Sequence, residues 1–482
     1  MDSWDQAPAA SALETLVTTT LAHEVYGRHA PAGGDDSTQP ATPTPEPHDG
    51  LARSGLTLGP HGHPTPTPEP HDGPAQSAPT PEPPGHPAAA PEPHDGPPQS
   101  APTPEPHDGP PQSAPTPDTD HPDRAHPTPD RAHPAPDAGR PDRAHPTPDQ
   151  AHPAPDVGRP DQARPTPDAL ITTGGTEANQ LAVLLAREAA APGEPVHLFV
   201  GANAHHSLVR AAWLLGLPEP VVVPAPAGTL DPAALDEALT DVPGPKLVAA
   251  TAGTTDAGLI DPLPEIADVT ERHGARLHID AAYGGGALFS PREAPKLHGL
   301  ARAHTVALDL HKLGWQPVAA GILAVRDTTE TTALGHQADY LNADDDTEAG
   351  LPDLLGRSLR TTRRPDVLKT AVTLKALGRT GLAALVDDVT ALAHHLARLV
   401  DADPRFELYD TPTLTTVLFR PSDANDETVA AIRRGLLTEG RAVLGRARMD
   451  GRLYLKATLL NPHATPEDLT ALLDLVEGHT PR

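Results

Sequence analysis

Hydrophobic and polar positions divide this chain into three regions of different character. Near the N-terminus, Leu13-Glu-Thr-Leu-Val17 through Leu21 to Val25 repeats apolar residues at helical spacing and predicts a short amphipathic helix. From residue 169 onward, apolar runs alternate with amphipathic stretches. The runs are VHLFV (196–200), VVVP (221–224), KLVAATAG (246–253), ARLHIDAA (275–282), HTVALDLH (304–311) and GILAVRD (321–327), with helical patterns at 178–190, 206–216 and 262–273. Strands that are apolar throughout and separated by helices indicate a parallel sheet covered on both faces, an α/β arrangement. Beyond about residue 366 the pattern changes to long helices over 366–400 and then to strand-like LTTVLFR (414–420) and RLYLKATLL (452–460), a smaller C-terminal α+β domain.

Between these regions lies a tract of another kind. Residues 31–168 hold 40 of the 63 prolines and no Phe, Trp or Tyr. Its first part repeats PTPEPHDG with PPQSA spacers, and its second repeats variants of DRAHPTPD and AHPAPD. A segment this poor in large apolar side chains cannot bury enough surface to offset the entropy of ordering it, and alternating prolines enforce extended backbone. The expectation is a disordered, solvated insertion. Its twelve histidines come without preorganised geometry, so no metal site is expected there. The expected division is 1–30 an N-terminal helical remnant, 31–168 the insertion, 169–365 a large domain and 366–482 a small one.

Composition narrows the function classes. A formal net charge of −29 with no Lys/Arg cluster argues against nucleic-acid binding. Zero cysteines exclude disulfides, thiolate metal sites and a cysteine nucleophile, and they fit a cytoplasmic protein. No apolar run approaches the roughly 20 residues of a membrane span, and no signal peptide is recognisable. A soluble intracellular protein without membrane association is expected.

In open α/β sheets, ligands bind beyond the carboxyl ends of the strands. Asp280 ends the run ARLHID and is followed by Ala281-Ala-Tyr-Gly-Gly-Gly286; His311 and Lys312 end TVALDLHK; Thr254 and Thr255 end VAATAGTT. ITTGGTEAN (171–179) sets two glycines directly before a helix, with Thr176 and Glu177 in its first turn, a ready anion site. A phosphate cradle, an aspartate, a lysine and a histidine on one rim suit pyridoxal phosphate. The lysine can form a Schiff base, and the aspartate can hold the pyridine nitrogen protonated. Each signal alone is ordinary: a Gly-Gly-Thr is more often a turn, an Asp after a strand a cap, a lone Lys a surface charge.

In combination, GGTEAN, HHSLVRAAWLLGL, ATAGTTDAGLIDPLPEIA, HIDAAYGGG and LDLHKLGWQP resemble the group II pyridoxal-phosphate-dependent amino acid decarboxylases. HKLGWQP, ADYLNADDD, RSLRTTRRPDVLK, DPRFELYDTPTLTTVLFR and YLKATLLNPHATPEDL resemble the branch of lysine and diaminobutyrate decarboxylases that serves siderophore biosynthesis. The resemblance implies the aspartate-aminotransferase-type fold (PLP fold type I), a homodimer, and decarboxylation of a basic or diamino L-amino acid. An aromatic amino acid or glutamate decarboxylase stands as the same-fold alternative. A remnant without activity that acts as an interaction protein stands as an alternative of another class.

Carried over residue by residue, the resemblance makes Lys312 the Schiff-base lysine, Asp280 the partner of the pyridine nitrogen and His205 the residue stacked on the ring. Gly175 and Thr176 would bind the phosphate with help from His311, while Ser207, Thr255 and Ala282 would contact or adjoin the cofactor. Three departures accompany it. MDSWDQAPA at the start resembles a segment well inside related chains, so a portion contributing to dimerisation and substrate binding is expected to be missing. The tract at 31–168 interrupts the family's pattern, and Pro365 stands where relatives carry an aromatic residue. In the loop around 340–355 only Tyr340 offers a phenol, so no proton donor is assigned.

Overall fold

The computed structural model describes residues 8–27, 165–335, 348–349 and 354–480. The repeat tract as far as residue 164, and most of the 340–355 loop with Tyr340, lie outside the described residues.

Among the described residues the fold is built from eleven strands and eight α-helices. In chain order the strands are β1 (Asp168–Thr172), β2 (His197–Gly201), β3 (Val221–Val223), β4 (Lys246–Thr251), β5 (Arg276–Ala281), β6 (Thr305–Asp309), β7 (Gly321–Val325), β8 (Phe406–Leu408), β9 (Thr416–Pro421), β10 (Gly445–Met449) and β11 (Arg452–Thr458). The helices are α1 (Pro8–Tyr26), α2 (Gly175–Glu188), α3 (His206–Leu214), α4 (Pro232–Asp241), α5 (Leu263–Arg272), α6 (Val367–Ala402), α7 (Asp426–Thr438) and α8 (Pro466–Gly478).

The seven-stranded sheet runs β1-β7-β6-β5-β4-β2-β3. From β3 to β6 every pairing is parallel, whereas β7 is antiparallel to both β6 and β1. The sheet is therefore mostly parallel, as expected, and β7 is its antiparallel member. A parallel strand needs a crossover of a dozen or more residues, usually a helix. The 310–320 connection contains none and folds back on itself, with the Leu310 amide donating to the Ala320 carbonyl at 2.8 Å. β1 escapes the hydrophobic pattern because it is only five residues long and emerges from a proline-rich sequence. Being antiparallel to β7, it points the same way as β6.

Helices cover both faces. α2 buries Ala178, Leu181, Ala182, Leu185 and Ala186 at i, i+3, i+4 spacing, and α5 buries Leu263, Ile266, Ala267, Val269 and Thr270. α1 turns Val17, Leu21, Ala22 and Val25 into the same core as β1, β5 and β6, and the Tyr26 hydroxyl reaches the Ala324 carbonyl at 3.3 Å. The other half of that face is polar: Ser11, Glu14 and Thr18 are as buried as Val17 and Leu21. Glu14 pairs there with Arg363 at 3.1 Å, both side chains being almost fully enclosed. α6 is two helical segments joined across a kink at Gly378, whose φ of 60° lies in the left-handed region. Its second half packs on the four-stranded antiparallel sheet β10-β11-β9-β8, with Leu396, Val400, Phe406, Val417 and Phe419 in a separate core. α8 begins with a reciprocal Thr465–Asp468 capping box.

Glu14→Ala removes one buried, charged partner of Arg363, so it should lower the unfolding free energy by roughly 1–3 kcal/mol. Denaturant titration checks this, and a loss below about 1 kcal/mol would show that α1 does not depend on the Arg363 pair.

Candidate active site

Sheet register fixes where the chemistry gathers. Thr172 and Asp309 both lie opposite Gly321, Ala281 opposite Leu308, and Asp280 opposite Thr251. The carboxyl ends of β1, β4, β5 and β6 thus share one row on one edge of the sheet. A cavity of about 520 Å³ opens there. Gly175, Thr176, His205, Thr255, Asp280, Ala282, His311 and Lys312 all line it, so eight of the nine residues selected from sequence converge.

Ser207 does not line the cavity. It is fully buried behind the wall, where its hydroxyl accepts from Asn179 Nδ2 at 2.9 Å and lies 2.8 Å from His205 Nδ1. Ser207 sits in the first turn of α3, and its own amide donates to His205 Nδ1 at 3.3 Å, which makes His205 the helix cap. That geometry turns the serine side chain inward and leaves the histidine ring facing the cavity.

Asn179 is the hub that sequence reading passed over. Its Nδ2 donates to Asp280 Oδ2 at 2.7 Å as well as to Ser207, and its Oδ1 lies 2.9 Å from His278 Nε2. With both amide hydrogens committed, Oδ1 must accept, so His278 carries its proton on Nε2. The opposite ring nitrogen then accepts from the Thr305 hydroxyl at 2.9 Å. Burial lowers the His278 pKa to about 4, which keeps it neutral. By the same accounting Ser207 donates its hydroxyl proton to His205 Nδ1, and burial lowers the His205 pKa too. Asp280 gains a second bond, from the Ala282 amide at 3.0 Å. A carboxylate only 5% exposed is therefore held by two donors and aimed at the cavity.

Lys312 follows β6 on a tight loop. Its amide donates to the Asp309 carbonyl at 3.0 Å, and its ammonium lies 3.3 Å from Asp309 Oδ2. Trp315, three residues on, adopts a φ of 53°, unusual for a non-glycine residue, and donates Nε1 to the Leu460 carbonyl at 2.8 Å. The lysine loop is thereby tied to the chain just past β11. Thr416, Thr458 and Leu460 bring that region into the cavity wall, and the Tyr283 hydroxyl links it to Thr415 and Thr416 at 2.7 and 2.9 Å.

The floor is made by Gly174 and Gly175. A methyl group on Gly175 would stand 2.7 Å from the Ala282 Cβ, and one on Gly174 would stand 3.1 Å from His311 Cε1. Two buried polar atoms beside this floor, Asp309 Oδ1 and His311 Nδ1, have no hydrogen-bond partner. Helix-start amides, unsatisfied polar atoms, a cavity-facing lysine and a held carboxylate together fit pyridoxal phosphate: phosphate on the floor, aldehyde at Lys312, ring nitrogen at Asp280.

A family model described as the pyridoxal-dependent decarboxylase conserved domain matches residues 157–422. This chain belongs to the pyridoxal-dependent decarboxylase family. It is 40% identical over 325 residues to an L-2,4-diaminobutyrate decarboxylase of Rhizobium meliloti (strain 1021), covering 64% of this chain and 65% of the relative. An L-2,4-diaminobutyrate decarboxylase of Acinetobacter baumannii is 31% identical over 348 residues, 65% of this chain and 68% of the relative. The chain thus spans about two thirds of the length of these relatives. Among solved structures it resembles the glutamate decarboxylase domain of a diaminobutyrate-pyruvate transaminase and L-2,4-diaminobutyrate decarboxylase from Vibrio parahaemolyticus, with a TM-score of 0.57 at 31% identity, covering 65% of this chain and 68% of that one. An Oryza sativa TDC with PLP and tryptamine aligns with a TM-score of 0.62 at 25% identity, covering 65% and 70%. These relationships establish the aspartate-aminotransferase-type fold with a smaller C-terminal α+β part.

Two expectations concern the site's stability. His278 and His304 both have pKa values lowered by burial to about 4, whereas the unfolded chain binds those protons near pH 6.5. Between these values the unfolded state holds more protons, so stability falls as pH drops through the window, by at most about 1.4 kcal/mol per pH unit for each imidazole. Denaturant midpoints taken from pH 7 to 4 test this, and a midpoint that rises on acidification contradicts it. Gly286→Ala would drive a methyl to 2.1 Å from the Leu313 carbonyl oxygen, in the Lys312 loop. Thermal melts should show a loss of roughly 1–3 kcal/mol or more, with Gly478→Ala, whose methyl meets nothing within 4 Å, as the neutral control.

Proposed function

We propose that this protein is a pyridoxal-phosphate-dependent carboxy-lyase that removes the α-carboxylate of a basic or diamino L-amino acid, 2,4-diaminobutyrate or lysine. The reading rests above all on the convergence of Lys312 and the doubly held Asp280 on one cavity floored by Gly174 and Gly175. The diamino preference draws on the two L-2,4-diaminobutyrate decarboxylase relatives.

When bound, the cofactor supplies an aldehyde and a ring able to take up the electron pair of a breaking Cα–carboxylate bond. The rest of the chemistry falls to the chain. Lys312 would hold the cofactor through its aldehyde. Asp280, held in place by Asn179 and Ala282, would face the ring nitrogen and hold a proton there. His205, neutral and capping α3, packs against one face of the ring. The Gly175 and Thr176 amides would hold the phosphate beside His311, and Thr255 and Ala282, which line the same cavity, would contact the cofactor. Orientation decides the outcome: the bond to be broken must stand perpendicular to the ring, which is a matter of positioning the amino acid.

The reading extends to a cytoplasmic homodimer, to the division into an N-terminal helix, an insertion at 31–168, a large domain over 169–365 and a small domain over 366–482, and to supply of a diamine for siderophore biosynthesis. Carbon dioxide release from 2,4-diaminobutyrate, lysine, ornithine, tyrosine and glutamate tests it directly. Turnover of a diamino substrate is expected; turnover of tyrosine or glutamate alone would overturn the substrate class, and none at all would leave a binding protein. Lys312→Ala should abolish borohydride labelling and lower the rate by roughly 10³-fold or more. Asp280→Asn should keep the label and lose roughly 10²–10³-fold.

A further inference from the structure

One carboxylate at the site has no task in the reading above. Asp309 ends β6, its side chain is only 5% exposed, and Oδ1 has no hydrogen-bond partner. Its Oδ2 lies 3.3 Å from Lys312 Nζ and 3.4 Å from His311 Nε2. The carboxylate also stands against the phosphate floor: methyl groups built on Gly174 and Gly175 would lie 3.4 Å from Oδ1 and 3.3 Å from Oδ2. An anion seated on those amides is therefore a close neighbour of a buried carboxylate. Two anions that close cannot both remain charged unless something neutralises one of them.

Few groups are available to do so. On the same loop stand His311 and Lys312, and a lysine joined to an aldehyde no longer offers a free ammonium. On α2, Glu177 is turned to the Thr173 amide and hydroxyl and pairs with Arg360. At the start of α3 stands neutral His205, and on β5 stands Asp280 with its oxygens already engaged. β1 and β7 present Thr172 and Gly321, which carry no charge.

We propose that Asp309 takes up one proton from solvent when the cofactor's phosphate binds, so that the neutral carboxyl donates its O–H to a phosphate oxygen. The proton goes onto the orphaned Oδ1, and no other bond is made or broken. Burial already raises the Asp309 pKa against the opposing influence of Lys312, His311 and the Gly175 amide. This inference rests on the pyridoxal-phosphate reading and makes Asp309 a proton-linked binder of the phosphate.

The test uses the full chain stripped of cofactor and titrated with pyridoxal phosphate and, separately, with pyridoxal, which lacks the phosphate. Between pH 7 and 9 the phosphate stays a dianion, since its second pKa is near 6. The ratio of the two affinities cancels whatever Lys312 and the ring contribute. In the wild type this preference for the phosphorylated form should fall with rising pH, approaching tenfold per pH unit. In Asp309→Asn it should be independent of pH and at least tenfold larger at pH 9 than in the wild type. A wild-type ratio that does not change with pH overturns the proposal without recourse to any variant. A slope that persists in Asp309→Asn overturns it too, by assigning the proton to His311. Failure of pyridoxal phosphate to bind at any pH overturns the cofactor reading itself, whereas binding with a flat ratio leaves that reading standing.

Discussion

The site depends on how one buried carboxylate is held in place. Asp280 is nearly sealed from solvent. Two hydrogen bonds fix its oxygens, and the one from Asn179 is directional at both ends. Because the amide must give both hydrogens to Asp280 and Ser207, its oxygen faces His278, and the tautomers of His278 and His205 follow in turn. A single side chain on the second turn of α2 thus sets proton positions on β5 and at the head of α3. Networks of this kind are worth having only when every member is satisfied, and the central one is.

A second constraint is steric. The lysine loop, the glycine floor and the Ala281–Gly286 turn approach one another so closely that a methyl group at Gly175 or Gly286 has nowhere to go. Close approach lets the helix-start amides of α2 and the Lys312 ammonium face one small volume. It also forces Asp309 against the same floor, where its carboxylate is held by Lys312 and His311 on one oxygen and by nothing on the other. The site therefore carries two carboxylates in different circumstances, one fully supported and one partly so, and that difference separates the role of a fixed charge from that of a proton carrier.

The lysine loop also depends on elements far along the chain. Trp315 spends an unfavourable backbone conformation to reach the Leu460 carbonyl, and the Tyr283 hydroxyl bonds to threonines at the start of β9. The wall of the cavity at Thr416, Thr458 and Leu460 exists only because the four-stranded sheet is docked where these bonds hold it.

Apolar runs broken by helical spacing made the α/β class and most of the strands legible, because burial on both faces of a sheet leaves few polar positions. Asp280, His311 and Lys312 were legible because strand ends are where such sheets bind ligands, and Gly175 because a helix start needs close approach by an anion. The antiparallel return of β7 was not legible, since it is decided by the absence of a crossover in the 310–320 loop and leaves no mark on hydrophobicity. Nor was the role of Asn179, which looks in sequence like any polar residue near a helix start and becomes the hub only when β5 and α3 are brought beside it. Ser207 shows the reverse: adjacent in sequence to the cavity-facing His205, it is turned away by the cap that His205 itself forms. Sequence determined which residues had the chemistry; tertiary structure decided which of them share hydrogen bonds, because those partners come from separate strands and helices whose register no local pattern records.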